Sequence, residues 1–271
     1  MFKQPDTVLR RSLRLPPKKS GRFTTLTSWS FSVYTQYIKC PFSVCLEKIQ
    51  KIRIIEPPNP HFAKGNCAHD LAADCAGGRV GKMPSLKTSV INPVDGKPIK
   101  IDLTPIKDTL VQLRAAPHVV VEQEWAFTKQ WQPTGWFDKD AWLRIKTDVC
   151  ADQPDPPTVD IIDWKTGQVH ADDHRLQRRL YAMGGLLLVD LGVLAGGDKK
   201  TKLTAQHVYI DTGQTATEEF LMKHLVPLKK EWLARISYMM SDTNYEAKPS
   251  AMNCRWCKFN KKAGGPCLKG V

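Results

Sequence analysis

The chain has 271 residues, 42% hydrophobic and 25% charged, the balance of an ordinary globular protein with length enough for one large or two small cores. Its 40 Lys and Arg against 27 Asp and Glu leave a net charge of +13, which points to a polyanionic partner, nucleic acid ahead of membrane. The most apolar window, Leu186 to Ala195, is broken by Asp190 and falls short of the roughly 20 residues a membrane span needs. The basic start runs into Leu13-Arg14-Leu15-Pro16-Pro17 where a secretory signal would be apolar. A soluble, intracellular, cytoplasmic protein is expected, with an organellar transit peptide as the other reading of that start. Eight cysteines in such a chain read as reduced thiols or metal ligands ahead of disulfides.

Residues 1 to 22 carry seven Lys or Arg and one acid, Asp6, and the stretch to about residue 25 reads as a flexible basic arm. Order is expected from Ser28, where serines suited to capping precede the helical pattern of Phe31, Val33 and Tyr34. Cys40-Pro41 ends that helix and starts another, with Cys45, Leu46 and Ile49 on its apolar face. Gly65-Asn66-Cys67-Ala68-His69-Asp70 leads into a short helix ending near Gly77-Gly78. The span 79 to 100, rich in Gly, Pro, Ser and Lys, reads as a long loop. Leu103 to Ala115 has a helical pattern and His118 to Phe127 alternates as a strand. After a loop at Gln132-Pro133-Thr134-Gly135, a second strand is expected between Trp136 and Val149.

The Pro-rich run Asp152 to Pro157 suits a hairpin connection into a third strand over 159 to 165, which ends on Gly167. A long helix is predicted from about Asp172 to Leu194, with Leu176, Leu180, Met183 and Leu187 on one face. His207 to Asp211 reads as a strand. An amphipathic helix is predicted from Thr217 to Met240, bent at Pro227. The last thirty residues form a Cys-containing tail, and 247 to 271 carry six Lys or Arg and no acid.

The strand Val159-Asp160-Ile161-Ile162-Asp163-Trp164-Lys165 embeds an Asp-x-Lys triplet. Side chains alternate along a strand, so Asp163 and Lys165 share a face and Trp164 points away from it. A carboxylate can hold a divalent cation, and a lysine beside it can orient a water or offset developing negative charge. The plain alternative is a strand-end salt bridge. Asp148 lies one hairpin earlier, where an antiparallel neighbour could bring it to the same cation. Gln177 and Tyr181, four apart, project from one face of the following helix. His69 follows a glycine turn, where a capping or core histidine is the plain reading.

The order His69, Asp148, Asp163-Trp164-Lys165, Gln177-Arg178-Arg179-Leu180-Tyr181 resembles the PD-(D/E)XK nuclease superfamily. Within it the string IIDWKTG is closest to the RecB-like branch, with its CRISPR-associated exonucleases and the AddB nuclease domain. The resemblance runs from about Ser28 to Cys267 and implies an α/β, restriction-endonuclease-like core, a central mixed sheet flanked by helices. It further implies that Asp148, Asp163, the Trp164 carbonyl and His69 hold Mg²⁺ or Mn²⁺. Lys165 would position the attacking water, and Gln177 and Tyr181 would orient the site and contact the DNA strand. Where the branch often has a Gly ahead of the first acid, this chain has Arg144-Ile145-Lys146-Thr147-Asp148, which leaves Asp138 and Asp140 as substitutes.

Cys254, Cys257 and Cys267 supply three thiolates, so a fourth ligand must come from elsewhere. Members of the branch pair such a tail with a cysteine before a proline, as in Cys40-Pro41. The resemblance thus implies a [4Fe-4S] cluster on Cys40, Cys254, Cys257 and Cys267, borne by a helical lobe built from 28–52 and 245–271 within a single domain over 26–271. Zn²⁺ on the same thiolates and a metal-free tail are the competing readings, with Cys45 in reserve for Cys40. Cys67, Cys75 and Cys150 read as buried small apolar residues. The function expected is a metal-dependent DNA exonuclease leaving 5′-phosphates and acting on single strands or DNA ends in end processing or recombination. Phage or mobile-element recombination and CRISPR spacer acquisition are both open. An inactive DNA-binding module and a zinc-stapled nucleic-acid adaptor are the alternatives.

Overall fold

The computed structural model describes residues 23–77, 81–169 and 174–271. In chain order the elements are α1 (Phe31–Lys39), α2 (Pro41–Val44), α3 (Pro60–Ala76), β1 (Lys87–Ile91), β2 (Pro98–Asp102), α4 (Lys107–Ala115), β3 (His118–Phe127), β4 (Pro133–Thr134), β5 (Leu143–Pro154), β6 (Pro157–Lys165), α5 (Arg175–Asp190), β7 (Lys202–Tyr209), β8 (Thr215–Phe220), α6 (Leu225–Ser241) and α7 (Ala251–Arg255). The chain divides into two compact units. One gathers Thr35–Glu56 and Ser241–Val271 with the residues up to Leu26, and the other takes Thr27–Tyr34 and Pro57–Met240.

The larger unit is built on a six-stranded sheet of order β4-β3-β5-β6-β7-β8. It is mixed, because β6 and β7 run parallel while its other neighbours run antiparallel. The parallel pair needs a crossover, and α5 occupies that connection. One face of the sheet offers Val149, Ala151, Ile162, Trp164, Val208 and Ile210, which form a buried core with Ala68, Ala72 and Cys75 of α3 and Leu110 and Leu113 of α4. On the opposite face Gly184 and Gly185 let α5 come close. A Cβ on Gly185 would stand 2.6 Å from Leu203 Cδ1 and 2.7 Å from Ile161 Cδ1. The strand β6 gives way to Gly167 at φ +89°, a backbone conformation natural to glycine, and Asp211 Oδ2 accepts from its N–H at 2.6 Å.

Four element predictions need correction. Where 79–100 reads as an unbroken loop, Lys87–Ile91 and Pro98–Asp102 pair as the hairpin β1–β2. Only Ile101 of its two strands is buried, so the apolar alternation is hidden among exposed Lys, Ser and Pro. The predicted helix over Thr217–Met240 begins only at Leu225, because Thr215–Phe220 pairs along β7 as an edge strand. Pro227 then sits in the first turn of α6, where no intrahelical donor is lost and no bend is needed. The helix holding His69 starts at Pro60, five residues before Gly65, with Asn59 as its cap. Gln132-Pro133-Thr134-Gly135 contributes a short strand, β4, to the sheet edge. The predicted start of α5 near Asp172 lies outside the described residues, and so does the basic arm up to residue 22. The arm's predicted end is placed, with Phe23 N–H bonded to the Thr243 carbonyl at 2.8 Å.

In the smaller unit Asp242 is a buried anchor. Its Oδ2 accepts from the Tyr37 hydroxyl at 2.5 Å, and its Oδ1 accepts from the N–H groups of Asn244 and Tyr245 at 2.8 and 3.1 Å. Burial by itself would raise its pKa, but these three bonds outweigh it and hold the carboxyl below its ordinary 3.8. The depressed folded value means that this contribution to stability is complete above the unfolded pKa and is lost as pH falls through the folded one.

Two outcomes are expected. Gly185→Val should lower stability by about 1–3 kcal/mol through overpacking against β6 and β7, read as a fall in the denaturation midpoint. Asp242→Ala should cost about 1–3 kcal/mol at pH 7. Its deficit relative to wild type should shrink as pH drops below 3.8 in paired denaturant titrations.

Candidate active site

The site begins where two strands part. The ladder between β5 and β6 runs from Pro154↔Pro157 to Val149↔Ile162 and stops there. Beyond that point β5 continues along β3, while β6 continues along β7 to Lys165↔Tyr209. Asp148 and Asp163 are the first residues of the two arms of this fork. Parting leaves backbone donors without strand partners, and Asp148 answers one of them by accepting from the Trp164 N–H through Oδ2 at 2.7 Å. Trp164 itself is turned away into the core on the α3 face.

Asp163 is buried at 5% exposure, so its charge needs close partners. Its Oδ1 accepts from the Tyr181 hydroxyl at 2.7 Å and from Gln177 Nε2 at 3.1 Å. Gln177 Nε2 also donates to the Tyr181 oxygen at 2.6 Å, while its Oε1 accepts from Lys165 Nζ at 3.2 Å. The lysine has no acceptor, so the amide orientation is determined: oxygen toward Lys165, nitrogen toward Asp163 and Tyr181. Asp163 Oδ2 forms an ion pair with Lys165 but receives no aligned hydrogen bond. Burial and the neighbouring Asp163 push the Tyr181 hydroxyl well above its usual pKa, so it stays protonated and serves as a donor.

His69 approaches from α3, its Nδ1 3.4 Å from Asp148 Oδ2. Burial disfavours its charged form, but the hydrogen bond and charge of Asp148, aided by Asp163, raise its pKa overall. The structure therefore brings together His69, Asp148, Asp163, Lys165, Gln177 and Tyr181. Asp138 is engaged elsewhere: its Oδ2 accepts from the Thr134 hydroxyl and the Gly135 N–H, each at 2.7 Å, and so holds a turn.

Sequence reasoning missed His207 and Arg178. On parallel neighbouring strands His207 is the register partner of Asp163, and it is fully buried with Nε2 3.7 Å from Asp163 Oδ2. Arg178 Nη1 lies 3.1 Å from His207 Nδ1, and the guanidinium can only donate, so Nδ1 accepts and the ring proton sits on Nε2, facing the acid. Burial pushes His207 down to about 3 against the pull of Asp163, and the ring is neutral at ordinary pH. Arg178 is in turn held by Glu218 Oε1 through Nε at 3.3 Å and Nη2 at 3.1 Å. A signal existed in the sequence: His207 stands where Leu203 and Ala205 establish an inward apolar period.

In chemical terms the fork offers two carboxylates of different exposure and a lysine. Asp163 Oδ2 has Lys165 as its ion-pair partner and no aligned hydrogen bond, and a carboxylate oxygen of this kind suits a hard cation. As the side chains are placed, no three His, Cys, Asp or Glu among the described residues converge closely enough to hold a metal ion. Around Asp163 the neighbours are Tyr181 and Gln177 on Oδ1 and Lys165 on Oδ2.

In the smaller unit Cys40, Cys254, Cys257 and Cys267 line one cavity. Three devices bring them there. Asn253 Nδ2 donates to the Lys39 carbonyl at 2.9 Å, joining the start of α7 to the residue before Cys40. Asn260 Nδ2 donates to the Cys254 carbonyl at 3.0 Å, and Cys267 N–H bonds the Phe259 carbonyl at 2.8 Å. All eight cysteines are free thiols. Burial raises the Cys257 pKa, with further upward pressure from Cys40 and Cys267 beside it. Cys45 is fully buried, pushed up by burial to about 11, and does not line the cavity. Cys75 and Cys150 are buried, whereas Cys67 is partly exposed.

Asp148→Asn should lower the His69 pKa, because burial then acts with the main opposing charge removed. An NMR titration of the imidazole would read the shift. An unchanged midpoint would show that Asp148 does not govern His69.

No protein in a comparison with curated sequences matches this chain. Among solved structures it aligns with the one titled "Crystal structure of SSO0001" at 12% identity, over 92% of this chain and 89% of that one, with a TM-score of 0.34, a likeness too slight to carry an argument. The family model of the PD-(D/E)XK nuclease superfamily matches residues 28–261, a span that includes the fork and every residue around Asp163. The chain belongs to the PD-(D/E)XK nuclease superfamily.

Proposed function

We propose that this protein is a Mg²⁺- or Mn²⁺-dependent DNA nuclease of the RecB-like kind. It works as an exonuclease on DNA ends or single strands and leaves 5′-phosphates. Superfamily membership points to a nuclease with a nucleic-acid substrate. The observation that carries the finer reading is the fork: Asp148 and Asp163 open the two arms, with Lys165 paired to the buried acid and Gln177 and Tyr181 fixing its orientation.

Asp148, Asp163, the Trp164 carbonyl and His69 are the residues that would hold the ion. When bound, such an ion activates a water and offsets charge on the phosphoryl oxygens. Lys165 orients the attacking water and counters negative charge gathering on the phosphate. Gln177 holds the ammonium by its oxygen and the carboxylate by its nitrogen, so acid and base keep one geometry. The Tyr181 hydroxyl stays protonated and donates to Asp163 Oδ1.

We infer that the four thiols of the smaller unit, Cys40, Cys254, Cys257 and Cys267, hold a [4Fe-4S] cluster, supported by their common cavity and all-sulfur donor set. Zinc is the competing occupant of the same thiolates.

Asp163→Ala and Lys165→Ala should each slow Mn²⁺-dependent digestion of end-labelled DNA by roughly 10²–10⁴-fold while leaving DNA binding near wild type. Digestion at the wild-type rate by both variants would remove the assigned site. Protein purified without oxygen should be brown, absorbing at roughly 400 nm. A colourless preparation with one equivalent of zinc would replace the cluster by Zn²⁺.

A further inference from the structure

Of the eight tryptophans, six are buried and Trp136 is partly so, which leaves Trp256 alone at the surface with 83% exposure. An indole in water forgoes most of the stabilisation its large apolar face could contribute. Its position follows from the turn that carries two of the cavity's thiols. In Cys254-Arg255-Trp256-Cys257 the cysteines line the cavity, so the two residues between them are thrown outward. Arg255 holds its guanidinium carbon over one face of the Trp256 ring, 5.0 Å from the ring centre, and Trp256 as a whole remains largely exposed. Arg255 also lines an open hollow with Lys262 and Asn260.

The segment that carries the ring is basic. From Ala247 to Val271 there are six Lys or Arg and no acidic side chain. Lys258 is spent on Glu47 and Glu56, at 3.1 and 3.9 Å, but Arg255, Lys261 and Lys262 are exposed. A flat aromatic face beside exposed cations that form no ion pair among the described residues is what an unpaired nucleic-acid strand needs: a ring to stack a base on and charges for the flanking phosphates. Duplex DNA hides its base faces in the helical stack, and an acidic peptide would use the cations but not the indole.

We propose that Trp256, with Arg255 and Lys262, is a stacking platform that binds unpaired nucleic acid on the smaller unit. The choice of nucleic acid as partner rests on the nuclease reading above. The platform is otherwise independent of Asp148, Asp163 and Lys165.

The test is fluorescence anisotropy of a labelled oligo(dT), its abasic counterpart and a duplex, with the full chain in EDTA so that no cutting occurs. Trp256→Ala should weaken oligo(dT) binding roughly tenfold, and Trp256→Phe should restore most of it. On the abasic strand the Trp256→Ala and wild-type proteins should bind alike, an outcome that misfolding could not produce. Arg255→Ala with Lys262→Ala should weaken both strands and flatten the salt dependence. Equal loss on base-bearing and abasic strands, or no loss at all, overturns the platform. So does competition by polyglutamate as effective as that by oligo(dT). A wild-type protein that fails to cut DNA but still shows the Trp256 effect would sink the nuclease reading and leave the platform standing.

Discussion

The larger unit depends on one buried charge. A carboxylate at 5% exposure cannot persist in a protein interior without donors around it, and Asp163 draws its neighbours from three elements: Lys165 on its own strand, Gln177 and Tyr181 on α5, and His207 on β7. Removing any one of them exposes the others to the cost of an unpaired group. Such networks make a local geometry rigid even where their net stabilisation is small.

The fork between β5 and β6 gives that charge its access. Had the ladder continued one pair further, Asp148 and Asp163 would have been ordinary neighbours on a closed sheet. Because it stops at Val149↔Ile162, the Trp164 N–H is free to be taken by Asp148, which ties the second acid to the strand that carries the first. The opposite face of the same strands is apolar and packed on α3 and α4, so the sheet is anchored from behind while its parting edge is polar. Glycines 184 and 185 complete the arrangement by letting α5 approach closely enough for Gln177 and Tyr181 to touch Asp163.

Behind the acid, His207 and Arg178 form a second line of orientation. Glu218 holds Arg178, Arg178 determines the histidine tautomer, and the histidine presents its N–H toward Asp163 Oδ2, the oxygen paired with Lys165. The smaller unit follows a comparable logic by other means. Three asparagine or backbone links bring thiols from separated segments into one cavity, and the turn between Cys254 and Cys257 displays Trp256 outward.

Much of this was legible in the residues. The Asp-x-Lys spacing on an apolar strand, the four-residue step from Gln177 to Tyr181, the prolines that confine the β5–β6 turn and the Cys40-Pro41 helix start all express local rules of alternation, helical repeat and backbone restriction. Where such signals were diluted they failed: the exposed hairpin β1–β2 buries one residue and so shows no period, and the edge strand Thr215–Phe220 was absorbed into the helical pattern that follows it. His207 was overlooked because a lone histidine in a strand has no meaning until its neighbour is known. Sequence alone determined which residues could take part, since periodicity and side-chain chemistry are properties of short segments. Only the tertiary structure decided where the strands part, which oxygen of Asp163 faces Lys165 and which histidine stands opposite it, because those depend on register between segments up to 44 residues apart.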